Sequence, residues 1–153
     1  MRKIILSFII IFILSIDGYL FYDFKINKEQ KKYHKTLSPN DLDPKSFITL
    51  FVEKYNKGLI NFVTLSGEFL EDWVKPNDVQ YLISIMHSKE KCCGYMNMYS
   101  STISEENAEV GGFAIIFLNS YISQTKINLG LNSNPKVDPA SIKKIETWYQ
   151  KNR

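Results

Sequence analysis

The sequence has only two cysteines, and they are adjacent, Cys92 and Cys93. A disulfide between chain neighbours closes a strained ring, which excludes an ordinary structural bridge within one chain. The C-x-x-C spacing of a redox pair is also missing. Histidines are equally scarce, His34 and His87. A zinc site needs about four ligands, and His87 with the two cysteines has no further His or Cys nearby in sequence, so neither a metal nor another cofactor is expected. G-x-S-x-G, P-loop, dinucleotide-binding glycine and H-E-x-x-H patterns are all absent. A Cys–His nucleophile pair drawn from His87 and Cys92 or Cys93 lacks an orienting third group and an oxyanion site. The plainer reading of the two thiols is a pair of small packing side chains at a helix end.

Charge is sparse as well, 23% of residues, whereas aromatics reach 14% with 10 Phe and 9 Tyr. That balance belongs to a packed globular domain rather than a disordered chain. The net charge of +3 is unevenly placed. Residues 1–35 carry seven basic and three acidic side chains, and the remainder carries 12 basic and 13 acidic ones. The folded part is therefore near neutral. It lacks the basic face of a nucleic-acid binder, so no nucleic-acid partner is expected.

What the sequence does have is a strong N-terminal signal. Met1-Arg2-Lys3 precedes an apolar run, residues 4–16, broken only by Ser7 and Ser15. Tyr19, Leu20, Phe21 and Tyr22 extend it toward the length of roughly 20 residues that a spanning helix needs, and tyrosines suit the water–lipid boundary. Residues 1–22 are read as a signal anchor that passes the membrane once. Cleavage after Gly18, giving a secreted protein, is the alternative, but the usual small-x-small pattern is missing. Arg2 and Lys3 favour a cytoplasmic N-terminus, which places the domain on the periplasmic or extracytoplasmic side. Residues 23–43 are lysine-rich and read as a basic stalk, and residues 44–153 as the globular domain. Counted from Thr36, about 118 residues remain, enough for a core of their own.

Helix signals dominate that domain. Asp43-Pro44 pairs an N-cap with proline at the first helical position. Phe47, Leu50, Phe51 and Tyr55 then recur at helical spacing until Gly58. Residues 59–65 fit either a short strand or a buried helical turn. Residues 67–74 predict a short helix ended by Pro76, and Asn77 with Gln80 resembles a capping box ahead of Val79, Leu82, Ile83 and Met86. Thr102 with Glu105 is a second candidate box. The strongest helix carries Val110, Phe113, Ala114, Phe117, Leu118 and Tyr121 on one face and Ile115, Ile116 and Ile122 on another, the mark of a central helix. Gly111 and Gly112 cost such a helix about 1 kcal/mol each relative to alanine, which points to another backbone passing close by. Asp138-Pro139 opens a last helix striped by Ile142, Ile145 and Trp148.

The stretch Asp72–Met86, DWVKPNDVQYLISIM, resembles the hairpins of HEAT-type helical repeats. The resemblance covers at most roughly a third of the chain, and no second copy recurs at a fixed period. It implies an α/α stack. The expected fold is mainly α, a HEAT-like or helical-bundle domain with at most one short β segment.

Candidate binding residues are Glu68, Glu71, Asp72 and Asp78 around Trp73, an acidic cluster able to face a basic partner. A second acidic set follows at Glu105, Glu106 and Glu109. Acids in first helical turns also complement the helix dipole, and tryptophans are often core anchors. The functional expectation is a non-enzymatic binding protein, tethered to the membrane, with a protein partner. Its most specific form is an immunity-type protein neutralising a basic-surfaced toxin. Alternatives are an accessory subunit of an envelope complex, or a small thiol-dependent enzyme using Cys92 or Cys93.

Overall fold

The computed structural model describes residues 37–58, 61–103 and 106–152. The anchor expected at residues 1–22 and the expected stalk as far as Thr36 lie outside the described residues. A compact unit runs from Leu37 to the C-terminus. It opens on a 3-10 turn, Pro39–Asp41, and continues through α1 (Pro44–Lys57), β1 (Phe62–Leu65), α2 (Pro76–Ile85), β2 (Lys91–Cys92), β3 (Gly94–Asn97), β4 (Ala108–Glu109), α3 (Val110–Ser123), β5 (Asn132–Ser133) and α4 (Pro139–Lys151).

This is a mixed α/β domain, and it corrects the mainly α, HEAT-like or bundle expectation. β1, β3 and β5 form one sheet in the order β1-β3-β5, and β2 pairs with β4 in a second. β1 and β3 are parallel, with Phe62 opposite Gly94 and Leu65 opposite Asn97. Parallel neighbours need a crossover connection, and α2 lies within it. β5 runs antiparallel to β3, with Tyr95 opposite Ser133.

Several helix signals hold because the local chemistry is complete. Asp43 accepts the Ser46 N–H at 2.7 Å and caps α1. Asp138 accepts the Ser141 N–H at 2.9 Å and caps α4. Others fail. Residues 68–70 and 73–75 are irregular and 71–72 form a turn, so the helix expected at 67–74 is absent. Pro76 opens α2 rather than closing a preceding helix, and the cap is Lys75, whose N–H donates to Asp78 at 2.8 Å, instead of Asn77 with Gln80. Asp72–Met86 therefore holds one helix and no hairpin. Glu105 of the second box lies outside the described residues, while Thr102 stands in a loop and the helix begins at Val110.

The core is built on α3, buried from Val110 to Ile115 and again at Phe117 and Leu118. Phe113 and Phe117 meet Phe47 edge-on, each with ring centroids 5.2 Å apart. Phe47 stacks on Phe51 at 3.9 Å. Such aromatic pairs add roughly 0.5–1.5 kcal/mol each beyond burial. The close backbone approach expected at the paired glycines is present. A Cβ at Gly111 would lie 2.5 Å from the Met86 carbonyl oxygen, and one at Gly112 the same distance from Pro135 backbone atoms.

Residues 37–43, read from the sequence as the end of the stalk, are part of the packed unit. The Ser66 N–H donates to the Leu37 carbonyl at 2.9 Å, and the buried Trp73 indole N–H donates to the Pro39 carbonyl at 2.8 Å.

Candidate interaction surface

The carboxyl ends of β1 and β3 open a shallow groove of about 550 Å³. In an α/β sheet this is where diverging loops leave a crevice. Tyr95 and Asn97, two residues apart on β3 and so on one face of the sheet, line its floor. Gly67 to Phe69, just past β1, make one wall, and residues 126–131, which lead into β5, make the other. The second wall alternates: Ile127 and Leu129 are buried, while Lys126, Asn128 and Gly130 are exposed. The Asn97 N–H donates to the Leu131 carbonyl at 2.8 Å, which holds that wall against β3. Lys126 Nζ donates to Glu68 Oε2, linking the two walls.

All five exposed large apolar side chains among the described residues are Leu70 (53%), Met98, Tyr99 (79%), Ile103 and Leu131 (58%). The topology gathers them at the same end of the sheet. Leu70 lies in the loop that leaves β1, and Met98 and Tyr99 follow β3. Leu131 precedes β5, and Ile103 adjoins Thr102, whose carbonyl and Oγ1 accept from Asn132 Nδ2 at 3.0 and 2.9 Å.

The acidic residues singled out from the sequence divide into different roles. Glu68, Glu71 and Asp72 are exposed in the loop leaving β1, outside any helical turn, so the helix dipole does not account for them. The hydrogen bond and charge of Lys126 hold the Glu68 carboxyl below its usual range. Lys75 does the same for Asp72. Asp78 sits in the first turn of α2 as a capping partner. Glu71 makes none of these contacts. Trp73, 6% exposed, packs on Phe117 and Phe69 with centroids 4.9 Å away in each case. It supports the loop from beneath and offers a partner little of its ring.

Cys92 and Cys93 are both fully buried and sit at the β2–β3 junction rather than at a helix end. Burial pushes the Cys92 thiol up to about 12, with the neighbouring Cys93 adding to it. Burial raises Cys93 as well, against the opposing pull of Lys54. The thiolate is the nucleophile, and at pH 8 a thiol of pKa about 12 is ionised in only about one molecule in ten thousand. His87 Nε2 lies 3.3 Å from a Glu146 carboxylate oxygen on an exposed surface. Among the described residues no three His, Cys, Asp or Glu side chains gather where they could hold a metal. An aromatic disulfide reagent at pH 8 is therefore expected to leave both cysteines unmodified in the native protein and to titrate both once guanidinium unfolds it. Fast labelling of the folded protein would show that the junction opens and would favour the thiol-enzyme reading.

No family model, no curated protein and no solved structure matches the chain.

The groove residues Tyr95, Asn97, Lys126 and Leu131 were not among the candidates drawn from the sequence. One signal was present in the period-2 alternation of residues 126–131, a half-buried extended segment overshadowed by the long helix before it.

Proposed function

We propose that this chain is a non-enzymatic binding protein, held at a membrane by a single N-terminal pass. On this reading the domain faces the periplasmic or extracytoplasmic side and docks a protein partner at the carboxyl end of its sheet. The observation that supports it is the gathering of every exposed large apolar side chain of the described residues at that one end. Scattered single apolar residues need no explanation, whereas a shared apolar rim beside a groove marks an interaction surface. The specific form is an immunity-type protein whose partner is a basic-surfaced toxin. The small size, the apolar N-terminal run and the exposed carboxylates of Glu68, Glu71 and Asp72 on the rim are consistent with that form.

A photo-reactive amino acid placed at Tyr99 or Leu131 should give one defined protein adduct in native membranes. The same group at Lys143, exposed on α4, should not. Identical adducts from all three positions, or adducts from none, would defeat the assignment of the surface. Membrane retention has its own measurement. The full chain should remain in the pellet after high salt and alkaline carbonate, because an apolar helix resists both. Recovery of a soluble form beginning near Tyr19 would identify the segment as a cleaved secretory signal.

A further inference from the structure

The turn that follows β3 is shaped by its flanking residues. The Ser100 N–H donates to the Asn97 carbonyl at 2.9 Å, which closes a turn with Met98 and Tyr99 at its two corners. Asn97 Oδ1 accepts the Tyr99 N–H at 3.0 Å. The Ser100 hydroxyl donates to the Thr102 carbonyl at 3.0 Å and accepts the Thr102 N–H at 3.3 Å. Side-chain bonds of this kind are how Asn and Ser fold a turn. Corner positions usually go to Gly, Pro, Asn, Asp or Ser, yet here they hold a methionine and a tyrosine. Turn formation does not account for those two side chains.

A second fastening comes from across the sheet. Asn132 stands opposite Met96 in the β3–β5 ladder, so its backbone is fixed. Its Nδ2 donates to both the carbonyl and Oγ1 of Thr102, a residue 30 positions earlier in the chain. The two most exposed large apolar side chains of the described residues, Tyr99 and Ile103 (71%), are therefore carried on a loop that is fastened at both ends. Side chains held out in water add no burial to the domain. Fastening the loop beforehand does remove an ordering cost that a free loop would bring to a complex. Tyrosine offers a large, rigid contact area with few rotatable bonds, and it is enriched among the residues that dominate binding.

Resting on the docking surface proposed above, we infer that Tyr99 is the anchor of that surface and that the partner is a folded protein with an apolar pocket for its ring. The groove on this side is shallow, so the concave half of the contact belongs to the partner. A ring projecting from a fastened turn fits a pocket assembled from several segments, which a single extended peptide does not have. Asn132 is a positioning residue, which acts on the partner through the loop that carries Tyr99.

The test reads the yield of the photo-adduct formed from Leu131, using the full chain in native membranes. Tyr99→Ala should lower the yield about tenfold, while Tyr99→Phe, which keeps the ring, should stay within about threefold of the parent. Asn132→Ala leaves the ring in place and should lower the yield about fivefold. Most of that loss should disappear when Tyr99 is already alanine, because residues that act as a unit are not additive. A purely structural Asn132 would lower the yield equally in both backgrounds. With the photo-reactive group at Tyr99 itself, the captured partner residues should come from separate stretches of the partner sequence, as a folded pocket requires. Thermal melting shows whether each variant is folded. Tyr99 is exposed, so the Tyr99 variants and the mapped capture still decide if Asn132→Ala does not fold. A loss below about threefold in Tyr99→Ala, equal losses from the alanine and phenylalanine variants, or capture confined to one continuous stretch overturns the inference and leaves the docking surface standing. Equal effects of Asn132→Ala in both backgrounds overturn its positioning role. Absence of any adduct from Tyr99 and Leu131 removes the docking surface and the inference together.

Discussion

Phe113→Asp abolishes the folded state, and it is the largest effect expected of any single substitution in this domain. Phe113 has no exposed surface, and its ring centroid lies 5.2 Å from that of Phe47 and 5.3 Å from that of Phe51. Removing a buried phenylalanine costs about 3–5 kcal/mol. A carboxyl in its place finds no polar partner among those rings and must either be buried charged or take up a proton, at a further cost of several kcal/mol. The total is comparable to the whole stability of a domain of this size, roughly 5–15 kcal/mol. Far-UV circular dichroism of residues 37–153 should show the mixed α/β signature in the parent and its loss in the variant, with Phe113→Leu still folded. A cooperative melt for Phe113→Asp within about 5 °C of the parent would place Phe113 outside the core.

Gly112→Ala is the second large effect, and its sign runs against helix propensity. Alanine is favoured over glycine in a helix interior by about 1 kcal/mol, so an unencumbered helix would be stabilised. Here the new methyl would lie 2.5 Å from backbone atoms of Pro135. A side chain can rotate away from such a contact, but backbone cannot, so the whole lead-in to α4 must shift. Overpacking at the upper end of its usual range, about 3 kcal/mol, should outweigh the propensity gain. The net loss should lower Tm by roughly 10 °C. Gly130→Ala is the control. Nothing lies near its Cβ position and only its positive φ of 65° opposes the change, so about 1 kcal/mol is expected. A Gly112→Ala protein that melts higher than the parent would sink the argument from close approach.

The paired glycines show where the sequence was legible. Two glycines inside an otherwise strong helix conflict with propensity, and the conflict has a structural cause in the backbones beside them. The capped starts of α1 and α4 and the all-round apolar α3 were legible for a similar reason, since each depends on residues within one or two turns. The sheets were not. β2, β4 and β5 are two residues long and β1 and β3 four, too short for alternation to register against the helical signals around them. Their pairing also depends on partners far away in sequence, Phe62 with Gly94 and Tyr95 with Ser133. Reading a largely helical stack from Asp72–Met86 followed from that blindness. Pro76 looked like a stop when it is a start, because proline at the first helical position and proline after a helix are the same letter in sequence. The acidic loop was found but its cause was not. Glu68, Glu71 and Asp72, read as candidate binding residues, were placed on a helix that does not exist, while the residue that closes the opposite wall, Lys126, came from 58 positions further on.

The bonds from Ser66 to Leu37 and from Trp73 to Pro39 have a mechanical meaning. They bracket the loop that carries Glu68 and Leu70, and they fasten it to the first described residues of the domain. Tension applied along the chain at Leu37 would therefore act directly on the two hydrogen bonds on either side of that loop. Under the proposed tether and docking surface, the place where the chain would be pulled and the loop that would hold the partner are thus joined by hydrogen bonds.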